Sequence, residues 1–267
     1  MEFKMLEIKN LNIEFHDHLI PESVVSDVNF TMEEGEILGI VGESGSGKTM
    51  TALAIAGLLR RCDMKKTGEI LFEGKDILNC KRSDLRELQG ADIAVIFQEP
   101  MTSLNPVKKI GWQVEESMKL HTDFTKEKRK EVAIQALRDV ELSNPEELYD
   151  QYPHELSGGM RQRVMIAAAI TMSPKLLIAD EPTTALDVTI QVQIVKLLMK
   201  ISAEKHTAIL FISHDLSLVK KMCKNVLVMH DGKVVESGDC TEIFRFPKDD
   251  YTKQLIAAIP GFDKRIS

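Results

Sequence analysis

Residues 42–49 read GESGSGKT, that is Gly42, Glu43, Ser44, Gly45, Ser46, Gly47, Lys48 and Thr49. They fit the pattern G-x-x-x-x-G-K-S/T, and they stand between an apolar run and a helical one, the setting that pattern needs. The chemistry explains the spacing. Glycines let the backbone wrap closely around phosphate oxygens, while consecutive N–H groups and a helix N-terminus supply a positive field. Lys48 then reaches the β- and γ-phosphates of a nucleotide, and the Thr49 hydroxyl suits Mg2+. A second piece of such a site is an apolar strand that ends in acids, and residues 175–181 (KLLIADE) supply it. Apolar positions bury the strand, Asp180 emerges at its C-terminal end to hold the Mg2+ shell, and Glu181 is placed to polarise an attacking water. Together the loop and the acids predict a nucleotide hydrolase of the P-loop class.

Such groups need a scaffold that brings strand ends and helix starts together. Residues 6–11 and 37–41 read as strands, and 93–97, 176–179, 208–212 and 226–229 are continuous apolar runs of the kind found when both sheet faces are covered. Between them lie Ala-rich helical patterns at 49–59 and 161–172, apolar nearly all round and hence buried. Strand–helix alternation predicts an α/β fold with a largely parallel sheet. Residues 67–74 (TGEILFEG) instead look like part of a small antiparallel element. Residues 107–150 hold no strand-like run, and their charge run 126–131 is expected on a solvated helix face, so this segment reads as a helical insertion.

Residues 156–160 (LSGGM) directly precede the second helical pattern. Ser157, Gly158 and Gly159 before a helix N-terminus form a second potential anion site. The run resembles the LSGGQ signature of ATP-binding cassette ATPases, departing from it at Met160. Other parts of that family's pattern fall in order around it. Gln98 after the strand 93–97 resembles the Q-loop, Asp187 in 184–187 (TALD) the D-loop, and His214 after the strand 208–212 the switch histidine. Phe15, after the first strand, matches the aromatic that stacks on adenine. The resemblance runs from about residue 5 to 245.

It implies a P-loop NTPase fold with a RecA-like core, an antiparallel β subdomain and an inserted helical subdomain at about 99–158. The cassette would span 1–245, followed by a short tail, 246–267. It implies ATP and Mg2+ as cofactors, with Thr49, Gln98 and Asp180 around the metal and Glu181, His214 and Gln98 as the catalytic set. Two cassettes would dimerise head to tail, each ATP lying between the loop of one and the signature of the other. The stretches GESGSGKT, FQEPMTSLNP, YPHELSGGMRQRVMIA and ADEPTTALDVTIQ look like ATPases of the peptide and nickel import subfamily, of which Met160 is typical. Residues 246–260 (FPKDDYTKQLIAAIP) resemble that subfamily's tail, with Lys248, Asp249 and Asp250 in place of its His-Pro.

Composition narrows the field. Hydrophobic residues make up 43% and charged residues 28%, an ordinary globular mix that excludes intrinsic disorder. Lys and Arg number 34 against 41 Asp and Glu, a net charge of −7, so no overall basic footprint for nucleic acid exists. The four cysteines, Cys62, Cys80, Cys223 and Cys240, are scattered and expected as reduced thiols rather than metal ligands. The start has no signal-peptide apolar region, and no run approaches the ~20 apolar residues of a membrane span.

The expected function is therefore the ATP-hydrolysing motor of a membrane importer of peptides or nickel chelates, docked peripherally on the cytoplasmic face through residues 99–130. Its implied partners are a second, non-identical cassette, two permeases and an external solute-binding protein, with no nucleic acid. The alternative is a DNA-repair or chromosome-type cassette ATPase. Against it stand the short span from Gln98 to Ser157, the absence of sustained heptads and the unclustered cysteines. An exporter half is disfavoured by the lack of fused membrane helices.

Overall fold

The computed structural model describes residues 4–16, 21–59, 63–98, 103–184 and 186–259. Two compact units form, Met1–Leu85 with Ala208–Ser267, and Arg86–Thr207.

The first unit holds two sheets. One is antiparallel, in the order β2-β1-β4-β5, built from β1 (Lys4–Phe15), β2 (Glu22–Glu33), β4 (Met64–Phe72) and β5 (Lys75–Asp76). β1 buries Leu6 and Ile8, then Leu11 and Ile13. Even and then odd positions share one sheet face only if a residue is inserted between them. The register with β2 slips between Ile8 and Leu11, and Asn10 sits there with φ of 47°. Asp27 on β2 has φ of 50°. The Asn10 and Asn29 amides donate to its carboxylate at 2.8 and 2.9 Å, and these bonds hold the Asp27 carboxyl below the usual carboxylate range. The apolar alternation is thus broken at the bulge. The strand read at 6–11 continues to Phe15, and β2, with the same break, escapes a reading by period altogether.

The other sheet of this unit carries the apolar runs. β3 (Ile37–Val41) pairs in parallel with β8 (Ala208–Ile212) on one side and β9 (Asn225–His230) on the other, and β10 (Lys233–Asp239) adds antiparallel to β9. β8 is buried at every residue, which accounts for its unbroken apolar sequence. Helices Lys48–Ile55, Leu216–Met222, Cys240–Arg245 and Asp250–Ala257 complete the unit. The first stops short of the expected residue 59 because Gly57, at φ of 66°, ends it.

The second unit pairs β6 (Ile93–Ile96) in parallel with β7 (Leu176–Asp180), from Ile93 beside Leu176 to Ile96 beside Ala179. Helices fill the segment between them, as its sequence predicts: Ile110–Val114, Glu116–His121, Lys126–Asp139, Pro145–Leu148 and Gly158–Ile170. They bury Ile110, Val114, Met118, Leu137, Val164 and Ile166, each contributing about 1.5–3 kcal/mol on leaving water. The long helix Val188–Lys205 follows β7.

Among the described residues no helix is long and apolar enough to cross a membrane. Cys80, Cys223 and Cys240 are free thiols, the last two buried, while Cys62 lies outside the described residues.

Candidate active site

In the first unit, β3 ends at Val41 and the chain turns through the glycine loop. Gly42 has φ of 149° and Gly47 φ of 95°. A Cβ on Gly42 would stand 2.1 Å from the Met229 carbonyl oxygen, and one on Gly47 2.8 Å from that of Val24, so the loop lies directly on the backbone of β9 and β2. Gly47 is the N-cap of the helix Lys48–Ile55 and provides no side-chain cap. The N–H groups at such a helix start are donors that an anion can satisfy.

Lys48 is only 5% exposed. Its ammonium donates to the carbonyls of Gly42 at 2.8 Å and Glu43 at 2.7 Å, and to Ser46 Oγ at 3.3 Å. A buried cation has to be paired, and here the loop's own neutral oxygens do it. Glu43, Ser44, Gly45 and Thr49 are exposed, on the crown of the loop and at the helix start. His214 is exposed after β8, between a buried Ser213 and Asp215. Ser213 Oγ accepts the Asp215 N–H, and the Asp215 carboxylate caps the next helix by accepting from Ser217 and Leu218, so His214 sits on a doubly fixed turn. Phe15 is half-buried and forms the last residue of β1 rather than following it.

In the second unit, Asp180 closes β7 at 5% exposure. Glu181 follows at φ of 46°, a left-handed conformation that is sparsely populated for residues with a Cβ and concentrated at functional sites. Its Oε2 accepts from Gln98 Nε2 at 3.0 Å and from Thr184 Oγ1 at 2.8 Å. With the Gln98 nitrogen so engaged, the amide oxygen points its acceptor capacity elsewhere. Ser157 caps the helix Gly158–Ile170, its Oγ accepting the Met160 N–H at 3.3 Å. Gly158 and Gly159 begin that helix, three residues earlier than the sequence pattern. A Cβ on Gly159 would stand 3.2 Å from Ile190, so the glycine turn fits closely against the helix Val188–Lys205. Asp187, exposed, is the N-cap of that helix. Ala185 of the TALD run and residues 99–102 lie outside the described residues.

Sequence reading missed Tyr251, whose hydroxyl accepts the Glu43 N–H at 2.8 Å. No spacing rule reaches across the 208 positions that separate them.

A loop that folds its carbonyls around its own buried lysine holds a cation ready for exchange with phosphate, which places the chain among the P-loop nucleotide hydrolases. Comparison with known proteins makes this specific. The family model for ABC transporters matches residues 25–184. The dipeptide transport ATP-binding protein DppD of Haemophilus influenzae is 46% identical over 258 residues, covering 97% of this chain and 78% of the relative. The oligopeptide transport ATP-binding protein OppD of Bacillus subtilis is 46% identical over 261 residues, covering 97% and 73%. Among solved structures, the dimeric ATP-binding cassette MJ0796 in a post-hydrolysis state bound to ADP and Pi superimposes with a TM-score of 0.79 at 26% identity, covering 88% of this chain and 99% of that one. The cbiO1 structure from Clostridium perfringens, part of the ABC transporter complex cbiONQ, gives 0.76 at 29% identity with 92% of each chain covered. The chain belongs to the ABC transporter family. It is an ATP-binding, ATP-hydrolysing cassette of the α/β P-loop NTPase fold.

Proposed function

We propose that this chain is the ATP-hydrolysing motor of a membrane importer for peptides, working at the cytoplasmic face of the membrane. The observation that carries the reading is the 46% identity, over 97% of the chain, to ATP-binding proteins of dipeptide and oligopeptide transport. Its partners are a second cassette of similar but non-identical sequence, two permeases and an external solute-binding protein. Residues 1–245 act as the cassette, with 99–158 as the helical subdomain that turns ATP-driven closure into permease movement.

The roles follow from the side chains. Lys48 leaves its loop carbonyls for the β- and γ-phosphates, whose charge it offsets. Glu181, a half-buried carboxylate already oriented by Gln98 and Thr184, accepts a hydrogen bond from water and directs its attack on the γ-phosphorus. His214, exposed on its fixed turn, donates to the γ-phosphate, and Phe15 stacks on adenine. Ser157, Gly158 and Gly159, together with Asp187, serve the nucleotide held by the partner cassette. Thr49, Asp180 and Gln98 offer hydroxyl, carboxylate and amide oxygens, the hard donors that Mg2+ takes. Among the described residues no group of three or more His, Cys, Asp or Glu could hold a metal. A cation that keeps phosphate and water oxygens in its shell does not need one. When bound, Mg2+ offsets charge on the phosphates.

The test is ATP hydrolysis by the chain assembled in vesicles with its partner cassette and permeases. Adding peptide-loaded binding protein should raise the rate and load peptide into the vesicles. Stimulation by duplex DNA or by nickel chelate, with none by peptide, overturns the assignment.

A further inference from the structure

We infer that Tyr251, in the C-terminal tail, is a positioning residue of the phosphate-binding loop: its phenol oxygen fixes the peptide plane between Gly42 and Glu43. The inference rests on the reading of residues 42–49 as the nucleotide site.

That plane is held from both ends. Its carbonyl, on Gly42, accepts from Lys48 Nζ at 2.8 Å, and its N–H, on Glu43, donates to Tyr251 Oη at 2.8 Å. Gly42 at φ of 149° has no side chain to resist rotation of the plane, so orientation has to come from bonds. Once Lys48 turns to phosphate, the bond to the Gly42 carbonyl is given up, and the bond to Tyr251 keeps the plane in place.

Tyr251 is itself held firmly. It is the second residue of the helix Asp250–Ala257, whose cap Asp249 accepts the Tyr251 and Thr252 N–H groups at 2.9 and 3.3 Å. Glu236 on β10 accepts the N–H groups of Lys248 and Asp249 at 3.0 and 3.1 Å, tying the helix start to the sheet. The phenol ring stacks on His230 with centroids 3.9 Å apart and planes 18° from parallel. His230 ends β9, the strand whose Met229 carbonyl faces Gly42, and the Gly232 N–H just beyond donates to the Ser46 carbonyl at 3.3 Å. The end of β9, the turn after it and the tail tyrosine therefore form one wall of the loop. Burial pushes the Tyr251 hydroxyl above its ordinary pKa, so it stays neutral at physiological pH.

The test is Tyr251→Phe in the intact chain, which removes one oxygen and keeps the stacked ring. A neutral hydrogen bond of this kind sets an expected fall in ATP and ADP affinity of about 2–10-fold. KM for ATP should rise in step, with kcat and the melting temperature unchanged. Hydrogen exchange of the loop containing Glu43 should accelerate in the nucleotide-free variant. Unchanged affinity and exchange overturn the inference, as does an affinity loss accompanied by an equivalent loss of stability, which would assign Tyr251 to tail packing. Lys48→Ala separates the two levels. If it abolishes ATP binding while Tyr251→Phe changes nothing, only the role of Tyr251 fails; if it leaves binding intact, the nucleotide site itself is misplaced.

Discussion

Lys48 in the first unit is 5% exposed and Glu115 in the second is 4% exposed, yet the two buried charges find their partners in different ways. Lys48 donates to oxygens within six positions of itself, on Gly42, Glu43 and Ser46. These acceptors are neutral, and a phosphate can replace them at a gain. Glu115 draws on Lys119, one helical turn on, and on Arg129 and Tyr149 from more distant helices and turns. The Tyr149 hydroxyl donates to it, and Lys119 and Arg129 lie 3.3 and 3.5 Å from its Oε2. Burial and the hydrogen bond to Glu115 raise the pKa of Tyr149 well above the usual phenol value. Gly111 lets the ring approach, since a Cβ there would come within 2.3 Å of it. The Lys130 ammonium lies over that ring, 4.9 Å from its centroid. A locally closed charge is available for chemistry, whereas a charge closed by side chains of the same unit's helices is a strut.

The largest expected effect tests whether a charge set for chemistry can be removed without structural loss. Glu181→Gln keeps size and hydrogen bonding but removes the carboxylate that orients water. Hydrolysis should fall about 10²–10⁴-fold, the usual contribution of a general base. ATP binding and melting temperature should be retained, and the closed dimer with the partner cassette should persist longer. Single-turnover hydrolysis and dimer trapping measure this; a wild-type rate removes Glu181 from the catalytic set.

The strut should behave in the opposite way. Glu115→Ala leaves the Tyr149 hydroxyl without its acceptor and the Arg129 guanidinium without the carboxylate charge 3.5 Å away, inside the helical unit. Breaking a buried pair typically costs about 3–5 kcal/mol, and with Lys119 and Arg129 partly exposed the lower end, about 3 kcal/mol, is expected. Denaturant unfolding measures it, with equilibrium ATP affinity of the still-folded protein unchanged. A loss of affinity at intact stability would break the contrast between the two charges.

The smallest effect concerns a residue with no charge. Phe15→Ala removes a ring expected to stack on adenine, which contributes about 1–3 kcal/mol per base in comparable systems. ATP and ADP should weaken alike, and Tyr or Trp at this position should restore affinity. Equal nucleotide binding in the alanine variant would make Phe15 a packing residue at the end of β1.

The difference between the two buried charges is also a difference in what can be read. Residues 42–49 are legible because the glycine spacing and the bonds from Lys48 to Gly42, Glu43 and Ser46 fall inside one short loop, where residue type and spacing define the geometry. β3 and β8 are legible for a related reason: covered on both faces, they need an apolar residue at every position, and that run stands out. β1 was recovered in part and β2 missed because a bulge at Asn10 and Asp27 shifts the apolar alternation from one parity to the other. Glu115 sits unremarked in a charged helical segment, since nothing in the run WQVEESMKL says that Tyr149 will lie over it.

Sequence by itself determined the glycine loop, the acids after β7, the serine–glycine turn before the helix Gly158–Ile170 and the strand–helix order that carries them, because each depends on neighbours within a turn or two of chain. Tertiary structure alone decided that Gly42 has a carbonyl at its back, that Glu181 takes a left-handed conformation and shares Oε2 between Gln98 and Thr184, and that Tyr251 returns from the tail to the Glu43 N–H. Apart from the Glu181–Thr184 bond, those contacts join residues tens to hundreds of positions apart. Their free energy comes from burial and pairing after the chain has folded, and local pattern holds no record of which distant partner will arrive.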